Sequence, residues 1–342
     1  MSRNDNGFMT RKPVMADVAR LAGVSHQTVS RVINGSNSIR PATRERVEHA
    51  IAQLGYRPNT AARALVTNRS GIIGIIGSNT AQYGPSSIQR SVEEAAREAG
   101  FFSSTVTLAS VTHQEIRGAL DHLSRLAVEA IVMIAAQQDA LTAVRTEDFG
   151  VPVIVVEGDL SGTGSSVGVD QVGGARRATQ HLIDLGHTAI AHVSGPQNWP
   201  EATARTKGYV DAMLAARLLP RPEYHGDWSA ACGYQIGGQL AAQDEITAVF
   251  VANDQMAIGI LHALAEAGRR VPDDVSVVGF DDIPEAGYLI PALTTVRQDF
   301  ATVGNQAIAL VTAQLSGTEV KTALLPADLV VRASTAAPRE RG

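Results

Sequence analysis

Polar and aromatic side chains, together with one proline, recur shortly after apolar runs in residues 71–342, where they could bind a small molecule. They are Ser78, Asn79, Tyr83, Gln137, Gln138, Pro196, Asn198, Trp199, Arg205, Asn253, Asp254, Asp281 and Asp282. Carboxylates and amides can share vicinal hydroxyl groups, a guanidinium group donates in a fork, and an indole ring can cover an apolar sugar face. The set therefore favours a neutral, polyhydroxylated ligand. The plainer interpretation of Asp254 is a helix N-cap, and that of Asp282 is a structural role.

A second set of side chains, close to the N-terminus, suits the recognition of DNA. Its members are Ser25, His26, Gln27, Thr28, Ser30, Arg31 and Asn34. Glutamine can pair with adenine, and arginine with guanine, through two hydrogen bonds in the major groove. Thr28, Ser30 and Asn34 suit phosphate, which fixes the register of a protein on DNA without reading its sequence.

The sequence shows no constellation that is typical of an enzyme. It contains no GxxxxGK[ST] phosphate loop and no HExxH metal motif, and its single cysteine, Cys232, has no evident His or Asn partner. Asp281 and Asp282 are adjacent, whereas a glycosidase needs two facing carboxyl groups. We therefore expect no enzymatic activity, no catalytic residue, no metal site and no cofactor.

The 342-residue chain has a formal net charge of −5, which by itself argues against nucleic acid as a partner. The charge is unevenly distributed, because residues 1–69 hold eleven Lys and Arg against four Asp and Glu. Their net charge is +7, and that of the other 273 residues is −12. Such asymmetry indicates contact with nucleic acid or an anionic surface at one end, while a basic solvated tail is the plainer interpretation.

Residues 13–60 are predicted to form three short helices. Val18 and Leu21 have helical spacing, Gly23 ends the first helix, and Ser25 suits the N-cap of the second. Two helices joined by so tight a turn are typical of a helix-turn-helix, whose second helix presents its N-terminal side chains to base edges. A generic three-helix bundle is the alternative, which the glycine turn, the polar outer face and the positive charge disfavour.

From residue 71 onward, apolar runs alternate with amphipathic segments, which is typical of parallel sheets covered by helices on both faces. The predicted strands are residues 72–76, 104–108, 130–134, 153–156, 165–169, 189–193, 248–251 and 275–279. The predicted helices are residues 87–99, 113–126, 173–185, 202–215, 233–241, 255–266 and 303–314. These are too many units for one compact six-stranded sheet, so we expect two lobes. Ligands of open α/β sheets lie beyond the carboxyl ends of the strands, which here means the cleft between the lobes.

Residues 14–65 resemble the DNA-binding head of the lactose repressor/galactose repressor family, in an almost ungapped match that includes LAGVSHQTVSRVING. The resemblance implies that residues 25–34 form the recognition helix, with His26, Gln27 and Arg31 as base readers. An N-terminal all-α helix-turn-helix head is therefore expected.

The same resemblance implies a hinge helix at residues 59–66, which includes Asn59 and folds only when two protomers lie on operator DNA. Leu65 then matches the leucine that enters the central minor-groove step, where an apolar wedge kinks the duplex. The residues are compatible with this role, because a short Ala-rich helix without a large apolar face is too weak to be stable alone. The alternative for Leu65 is a buried anchor against the rest of the chain.

The resemblance continues over the rest of the chain, including VANDQMAIG and VVGFDD, and implies an α/β, two-lobe body with parallel sheets, like the periplasmic sugar-binding proteins. The implied domains are a flexible arm (1–12), a helix-turn-helix domain (13–58), a hinge helix and linker (59–70), and an effector-binding and dimerisation domain (71–342). Its first lobe takes about 71–170 and 300–325, and its second about 171–296 and 328–333. By resemblance Arg205, Asn253 and Asp281 bind sugar hydroxyls; a surface salt bridge is the alternative for Arg205.

Three segments, HGDWSAACGYQ, ANDQMAIG and IPALTTVRQDF, resemble a galactoside-responsive member of that family. They imply that Trp228 and Gln298 line the sugar pocket, and they favour a galactoside or another β-glycoside. Two features differ from that member: residues 134–140 are shorter than its loop and carry amides in place of an acidic residue, and Trp199 fills a position that it does not share. The full predicted effector-binding set is Ser78, Gln137, Trp199, Arg205, Trp228, Asn253, Asp281 and Gln298.

These features predict a sequence-specific DNA-binding transcription regulator, a repressor that a sugar bound between the lobes releases from its operator. The expected partners are double-stranded operator DNA, a small-molecule effector and a second copy of the chain. Two alternatives stay open: a repressor that requires a corepressor such as a purine, and a sugar receptor without a DNA role. A homodimer is expected because no heptad-bearing helix follows Val331. We also expect a cytoplasmic protein without membrane contact, because there is no secretory signal and no apolar run of about 20 residues.

Overall fold

The computed structural model describes most of the chain, and the fold below concerns those residues alone. They are residues 13–33, 36, 38–56, 69–78, 82–109, 112–134, 142, 149–157, 165–318 and 322–339. Six candidate site residues named above lie outside them: Asn34, Asn59, Leu65, Asn79, Gln137 and Gln138. The arm at 1–12 and most of the predicted hinge segment also lie outside. The chain divides into two compact units, residues 1–70 and 71–342, and each is described by itself.

The N-terminal unit contains the three predicted helices, α1 (Met15–Ala22), α2 (His26–Ile33) and α3 (Pro41–Leu54). Its core is formed by one valine from each helix, Val18, Val29 and Val47, all fully buried. Gly23 ends α1 in the left-handed conformation, with φ of +64°, which glycine adopts at little cost. The predicted helix-turn-helix is therefore confirmed.

The start of α2 matches the sequence prediction, whereas the buried face of α1 differs from it. Ser25 caps α2, because its Oγ accepts a hydrogen bond from the backbone N–H of Thr28 at 3.2 Å. Leu21 was expected to have the helical spacing of a core residue, but 46% of its side chain is exposed. The buried residues of α1 are Val18, Ala19 and Ala22, so the inward face of the helix lies at these positions and not at Leu21.

The body, residues 71–342, contains two six-stranded sheets. The first sheet has the order β11-β5-β4-β3-β1-β2. Its strands are β1 (Ile72–Ser78), β2 (Phe102–Leu108), β3 (Ala130–Ile134), β4 (Val153–Val156), β5 (Ser166–Val169) and β11 (Ala323–Leu325), all parallel. Its helices are α4 (Tyr83–Glu98), α5 (His113–Arg125) and α10 (Phe300–Leu315). The inner strands β3 and β4 read as continuous apolar runs because both faces of the sheet are covered.

The second sheet has the order β12-β10-β9-β8-β6-β7. Its strands are β6 (Ile190–Ser194), β7 (Tyr224–His225), β8 (Ala248–Val251), β9 (Ser276–Asp281), β10 (Thr294–Arg297) and β12 (Asp328–Val330). All pairs are parallel except β10 with β12. Its helices are α6 (Gln171–Asp184), α7 (Pro200–Ala215), α8 (Ala230–Ala241), α9 (Asp254–Glu266) and a short 3₁₀ turn (Ala286–Tyr288). The prediction of a two-lobe α/β body with parallel sheets is confirmed.

The chain passes between the two sheets three times: after β5, after β10 and after β11. The first two passages place Gln171 and Gln298 directly at the joins between the lobes. Three strands, β7, β10 and β11, were not predicted, because they have only two to four residues and lie among polar or proline-containing segments. None of the helices in the described residues is long and apolar enough to span a membrane.

Candidate ligand-binding cleft

A cavity with about 500 Å³ of empty space, part of it open to solvent, lies in the body, where the carboxyl ends of strands from both sheets meet. It is lined by Gln82, Tyr83, Gly84, Pro85, Ile88, Ile134, Glu157, Gln171, Trp199, Glu201, Arg205, Trp228, Asn253, Asp281, Gln298 and Phe300. Its walls combine apolar and aromatic side chains with a few oriented polar groups, which is typical of small-molecule sites.

Four side chains form a closed ring of polar contacts at this cavity. Arg205 donates from Nε to Oε1 of Gln171 at 2.9 Å, and Gln171 donates from Nε2 to Oε1 of Gln298 at 2.8 Å. Gln298 donates from Nε2 to Oδ1 of Asp281 at 2.7 Å, and that oxygen lies 3.5 Å from Nη1 of Arg205. Because each member fixes the next, the ring holds a guanidinium group and a carboxylate in one orientation toward the cavity.

Arg205 is the most deeply engaged group of the ring, since only 5% of the residue is exposed. Its Nη1 also donates to the carbonyl oxygen of Ala252, and its guanidinium lies 3.8 Å from the ring centre of Phe280 and 5.6 Å from that of Trp228. Burial lowers its pKa, and Asp281 acts in the opposite direction. The alternative of a surface salt bridge for Arg205 is wrong.

Backbone strain is concentrated at the cavity. Asp281 has φ of +112° and Asp282 has φ of +53°, both in the region that favours glycine. Asp282 is held by Arg297 and Arg332, with nitrogen–oxygen distances of 2.6 Å to each. These two ion pairs support the structural role expected for Asp282, and they stabilise the turn that directs Asp281 into the cavity.

The cavity contains an acid that the sequence analysis omitted, Glu157, which follows β4 directly. Its Oε1 accepts from the N–H of Val169 at 3.0 Å, and its Oε2 accepts from Nε2 of Gln171 at 3.2 Å. Burial raises the pKa of Glu157 to about 7, against the smaller opposing effect of these hydrogen bonds. Burial also raises the pKa of Asp281 to about 6, although Arg205 lowers it. Two acids of the cavity therefore titrate near neutral pH.

Asn253 takes the capping role that the sequence suggested for Asp254. Asn253, not Asp254, is the N-cap of α9, because its Oδ1 accepts from the N–H of Met256 at 3.0 Å. Asp254 is the first residue of the helix, and its carboxylate accepts from the hydroxyl of Thr295 at 2.6 Å and the N–H of Ile283 at 2.9 Å. The expected cap at Asp254 is therefore wrong, because the carboxylate turns into the body to join β10 and the turn after β9.

Aromatic side chains cover part of the cavity wall. Trp199 and Trp228 meet edge to face, with ring centres 5.7 Å apart, and Tyr83 meets Phe300 in the same way at 5.9 Å. Nε1 of Trp228 is buried without a hydrogen-bond partner among the described residues. A buried N–H without a partner is costly, so this group is suited to a ligand acceptor.

Six of the eight predicted effector-binding residues line the same cavity: Trp199, Arg205, Trp228, Asn253, Asp281 and Gln298. Ser78 does not; it lines a separate small hollow with Gly77, Pro85, Ser86, Gln89, Thr107 and Ile134. The eighth, Gln137, lies outside the described residues. Glu157 and Gln171 were missed, although both follow a predicted strand as closely as the residues that were chosen.

The predicted DNA-reading side chains lie on the outer face of α2 or at its start. Ser25, His26, Gln27 and Arg31 are exposed, and Thr28 is half-buried. Because the hydroxyl groups of Ser25 and Thr28 bond each other at 2.9 Å, they also stabilise the helix start. This geometry leaves His26, Gln27 and Arg31 as the long exposed side chains of the helix.

Replacing Glu157 by glutamine is expected to reduce the pH dependence of thermal stability. The folded state raises this pKa from 4.5 to about 7, so it holds the proton more tightly than the unfolded state. Stability conferred by protonation is therefore present below about pH 4.5 and is lost as the pH rises to about 7. The loss amounts to at most about 3.5 kcal/mol, at about 1.4 kcal/mol for each pKa unit.

The measurement is the Tm of the wild type and the variant at pH 5 and pH 8. The difference in Tm, Glu157→Gln minus wild type, should be more positive at pH 8 than at pH 5. Glu94→Gln is the matched control, because Glu94 is a 69%-exposed partner of Arg97 on α4. Parallel pH curves for Glu157→Gln and the wild type would contradict the prediction.

Comparison with known proteins agrees with the fold of both units. Residues 14–59 match the model of bacterial regulatory proteins of the lacI family, and residues 179–335 match a periplasmic binding protein-like domain. The lactose operon repressor of Escherichia coli K12 is 36% identical over 335 residues, 96% of this chain and 92% of that protein. The regulator CelR of Thermobifida fusca is 35% identical, covering 95% and 98% of the two chains. The repressor PurR of Haemophilus influenzae is 34% identical, covering 85% and 88%.

Solved structures give the same result. The lac repressor dimer bound to operator and the anti-inducer ONPF has a TM-score of 0.81 and 34% identity, covering 96% of this chain and all of that one. The complex of CelR with cellobiose has a TM-score of 0.71 and 34% identity, covering 94% and 99%. With relatives this similar over nearly its whole length, the chain belongs to the lacI family of bacterial regulatory proteins.

Proposed function

We propose that this chain is a sequence-specific DNA-binding transcription repressor that a sugar, a galactoside or another glycoside, releases from its operator. The observation that carries the proposal is the closed ring of Arg205, Gln171, Gln298 and Asp281 at a cavity that also contains two indoles. Paired carboxylate, amide and guanidinium groups beside aromatic rings suit vicinal hydroxyl groups and an apolar sugar face.

The DNA-binding part of the proposal rests on α2. His26, Gln27 and Arg31 read base edges, while Ser25, Thr28, Ser30 and Asn34 contact phosphate. Two copies of the chain place two heads on the half-sites of a pseudo-palindromic operator, as in the lac repressor dimer bound to operator. Asn59 and Leu65 act in a hinge helix on the DNA. We expect a dimer by light scattering at micromolar concentration, and a tetramer would contradict this.

The remaining parts of the proposal follow from the same division of the chain. Residues 13–58 bind DNA, residues 59–70 form the hinge helix and linker, and residues 71–342 bind the effector and a second copy of the chain. The protein acts in the cytoplasm. We expect no enzymatic activity, since the relatives named above are regulators and repressors. Ser78 contributes to the effector site only if the ligand reaches the separate hollow that it lines; Gln137 is proposed as an effector-binding residue from the sequence alone.

The test is a titration of operator DNA with the full chain, in the presence of cellobiose, lactose or a purine base. The operator is a duplex selected from random sequence by the protein itself. An inducing sugar should weaken operator binding by about 5–150-fold, and operator should weaken sugar binding by the same factor. Absence of coupling in both directions would contradict the proposal.

A corepressor is the second candidate, and the similarity to PurR is the observation that favours it. A purine base would then tighten operator binding instead of weakening it. A sugar that binds without any DNA binding by the chain would favour the third candidate, a sugar receptor.

A further inference from the structure

Gln171 has an unusual position in the fold. It is the first residue of α6, two residues after β5, where the chain first passes from one lobe to the other. Its side chain is buried, and the whole hydrogen-bonding capacity of its Nε2 is used. That nitrogen donates to Oε2 of Glu157 at 3.2 Å and to Oε1 of Gln298 at 2.8 Å, while Oε1 accepts from Arg205 at 2.9 Å.

The three partners of Gln171 belong to different parts of the body. Glu157 follows β4 of the first sheet, whereas Arg205 is on α7 beside the second sheet. Gln298 follows β10, where the chain passes between the lobes for the second time. The amide of Gln171 therefore joins Glu157 of the first lobe to Arg205 of the second. It also bonds Gln298, so it connects the first and second passages of the chain between the lobes.

We propose that Gln171 is a positioning residue that couples the closure of the two lobes to the orientation of Arg205. The inference rests on the proposed function, because it assigns Arg205 to the sugar that binds in this cavity. Any rotation between the lobes moves Glu157 relative to Gln298. Since Gln171 has no spare donor, such a rotation breaks one of its three bonds and releases either Arg205 or the Gln298–Asp281 part of the ring.

The geometry gives this role to the amide itself. A carboxylate at position 171 could accept from Arg205 but could not donate to Glu157 or Gln298. An aliphatic side chain would leave buried donors and acceptors of Arg205, Glu157 and Gln298 without a partner. Only a group that donates twice and accepts once satisfies all three partners in the closed arrangement.

The first variant is Gln171→Leu, and its matched control is Gln180→Leu on the same helix. Gln180 bonds Asp184 at 2.7 Å and does not line the cavity. We expect Gln171→Leu to bind cellobiose about 10–100-fold more weakly, and the operator–cellobiose coupling factor to fall toward 1. Gln180→Leu should keep both cellobiose affinity and operator affinity within about twofold of the wild type, since its side chain lies outside the cavity.

A second measurement needs no sugar. The chain has two tryptophans, Trp199 and Trp228, and both line the cavity, so acrylamide quenching of their fluorescence reports its opening. We expect quenching of ligand-free Gln171→Leu to exceed that of the wild type and of Gln180→Leu. Equal quenching in the three proteins would overturn the inference, whether or not cellobiose binds. Cellobiose that fails to affect the wild type would instead count against the proposed function.

The third variant, Gln171→Glu, tests the donor role directly. A protonated glutamate can donate one O–H and accept from Arg205, so it restores part of the bonding as the pH falls. Quenching of Gln171→Glu should approach the wild-type value between pH 8 and pH 5.5, whereas that of Gln171→Leu should stay high. An identical pH profile for both variants would overturn the inference.

Discussion

Replacing Arg205 by leucine is expected to weaken cellobiose binding by more than about 100-fold while operator binding persists, which gives a repressor that sugar no longer releases. The guanidinium group is a buried cation that faces the cavity and bonds Gln171, Ala252 and Asp281. Hydrogen bonds to charged groups contribute about 1.5–3 kcal/mol each. A guanidinium group can bond two sugar hydroxyls, and leucine can bond neither, so both contributions are lost. The measurement is calorimetric titration with cellobiose, together with operator affinity.

The variant also leaves Asp281 buried without its cation, which costs about 3–5 kcal/mol of stability. Thermal unfolding must therefore show that the variant is folded at the titration temperature. Arg176→Leu is the control, because Arg176 is an exposed partner of Asp211 at 3.5 Å, and such pairs contribute about 0–1 kcal/mol. Cellobiose affinity within about fivefold of the wild type in Arg205→Leu would contradict the assignment of this residue.

Replacing Gln27 by alanine is expected to have the second-largest effect, a loss of operator affinity of about 10–100-fold with unchanged cellobiose affinity. A bidentate contact to a base contributes about 1–3 kcal/mol of discrimination against the wrong base. Selectivity should therefore relax at one base pair of each half-site, while the slope of affinity against salt stays the same. Glutamine is neutral and releases no counterion, so the salt slope does not depend on its contact; the dependence of the affinity loss on base sequence distinguishes a base contact from a phosphate contact.

Gln53→Ala is the matched control, since Gln53 is an exposed residue of α3 in the same unit. The measurement is fluorescence anisotropy with the selected operator and with duplexes altered at single positions. A uniform weakening of binding to all duplexes would assign Gln27 to the phosphate backbone. Unchanged affinity for every duplex would remove it from the interface altogether.

The sequence by itself determined the elements that local periodicity specifies. The strands Ala130–Ile134, Val153–Val156 and Ala248–Val251 were predicted to the residue, because a strand covered on both faces is an uninterrupted apolar run. The helix-turn-helix followed from Gly23 and Ser25, since a left-handed turn and a hydroxyl cap are local requirements. The net charge of −5 was resolved into a basic head and an acidic body by counting along the chain.

Only the tertiary structure decided how the polar residues are shared between structure and site. Asn253 and Asp254 are neighbours of similar chemistry, and the position of Thr295, 41 residues away, determines which one turns inward. Glu157 and Gln171 follow predicted strands as the chosen residues do, but a Glu after a strand and a Gln at a helix start are ordinary on a surface, so this local signal did not distinguish them. Their burial depends on the lobes meeting over them, and contacts between residues as distant in sequence as Gln171 and Gln298 have no periodicity that a sequence could show.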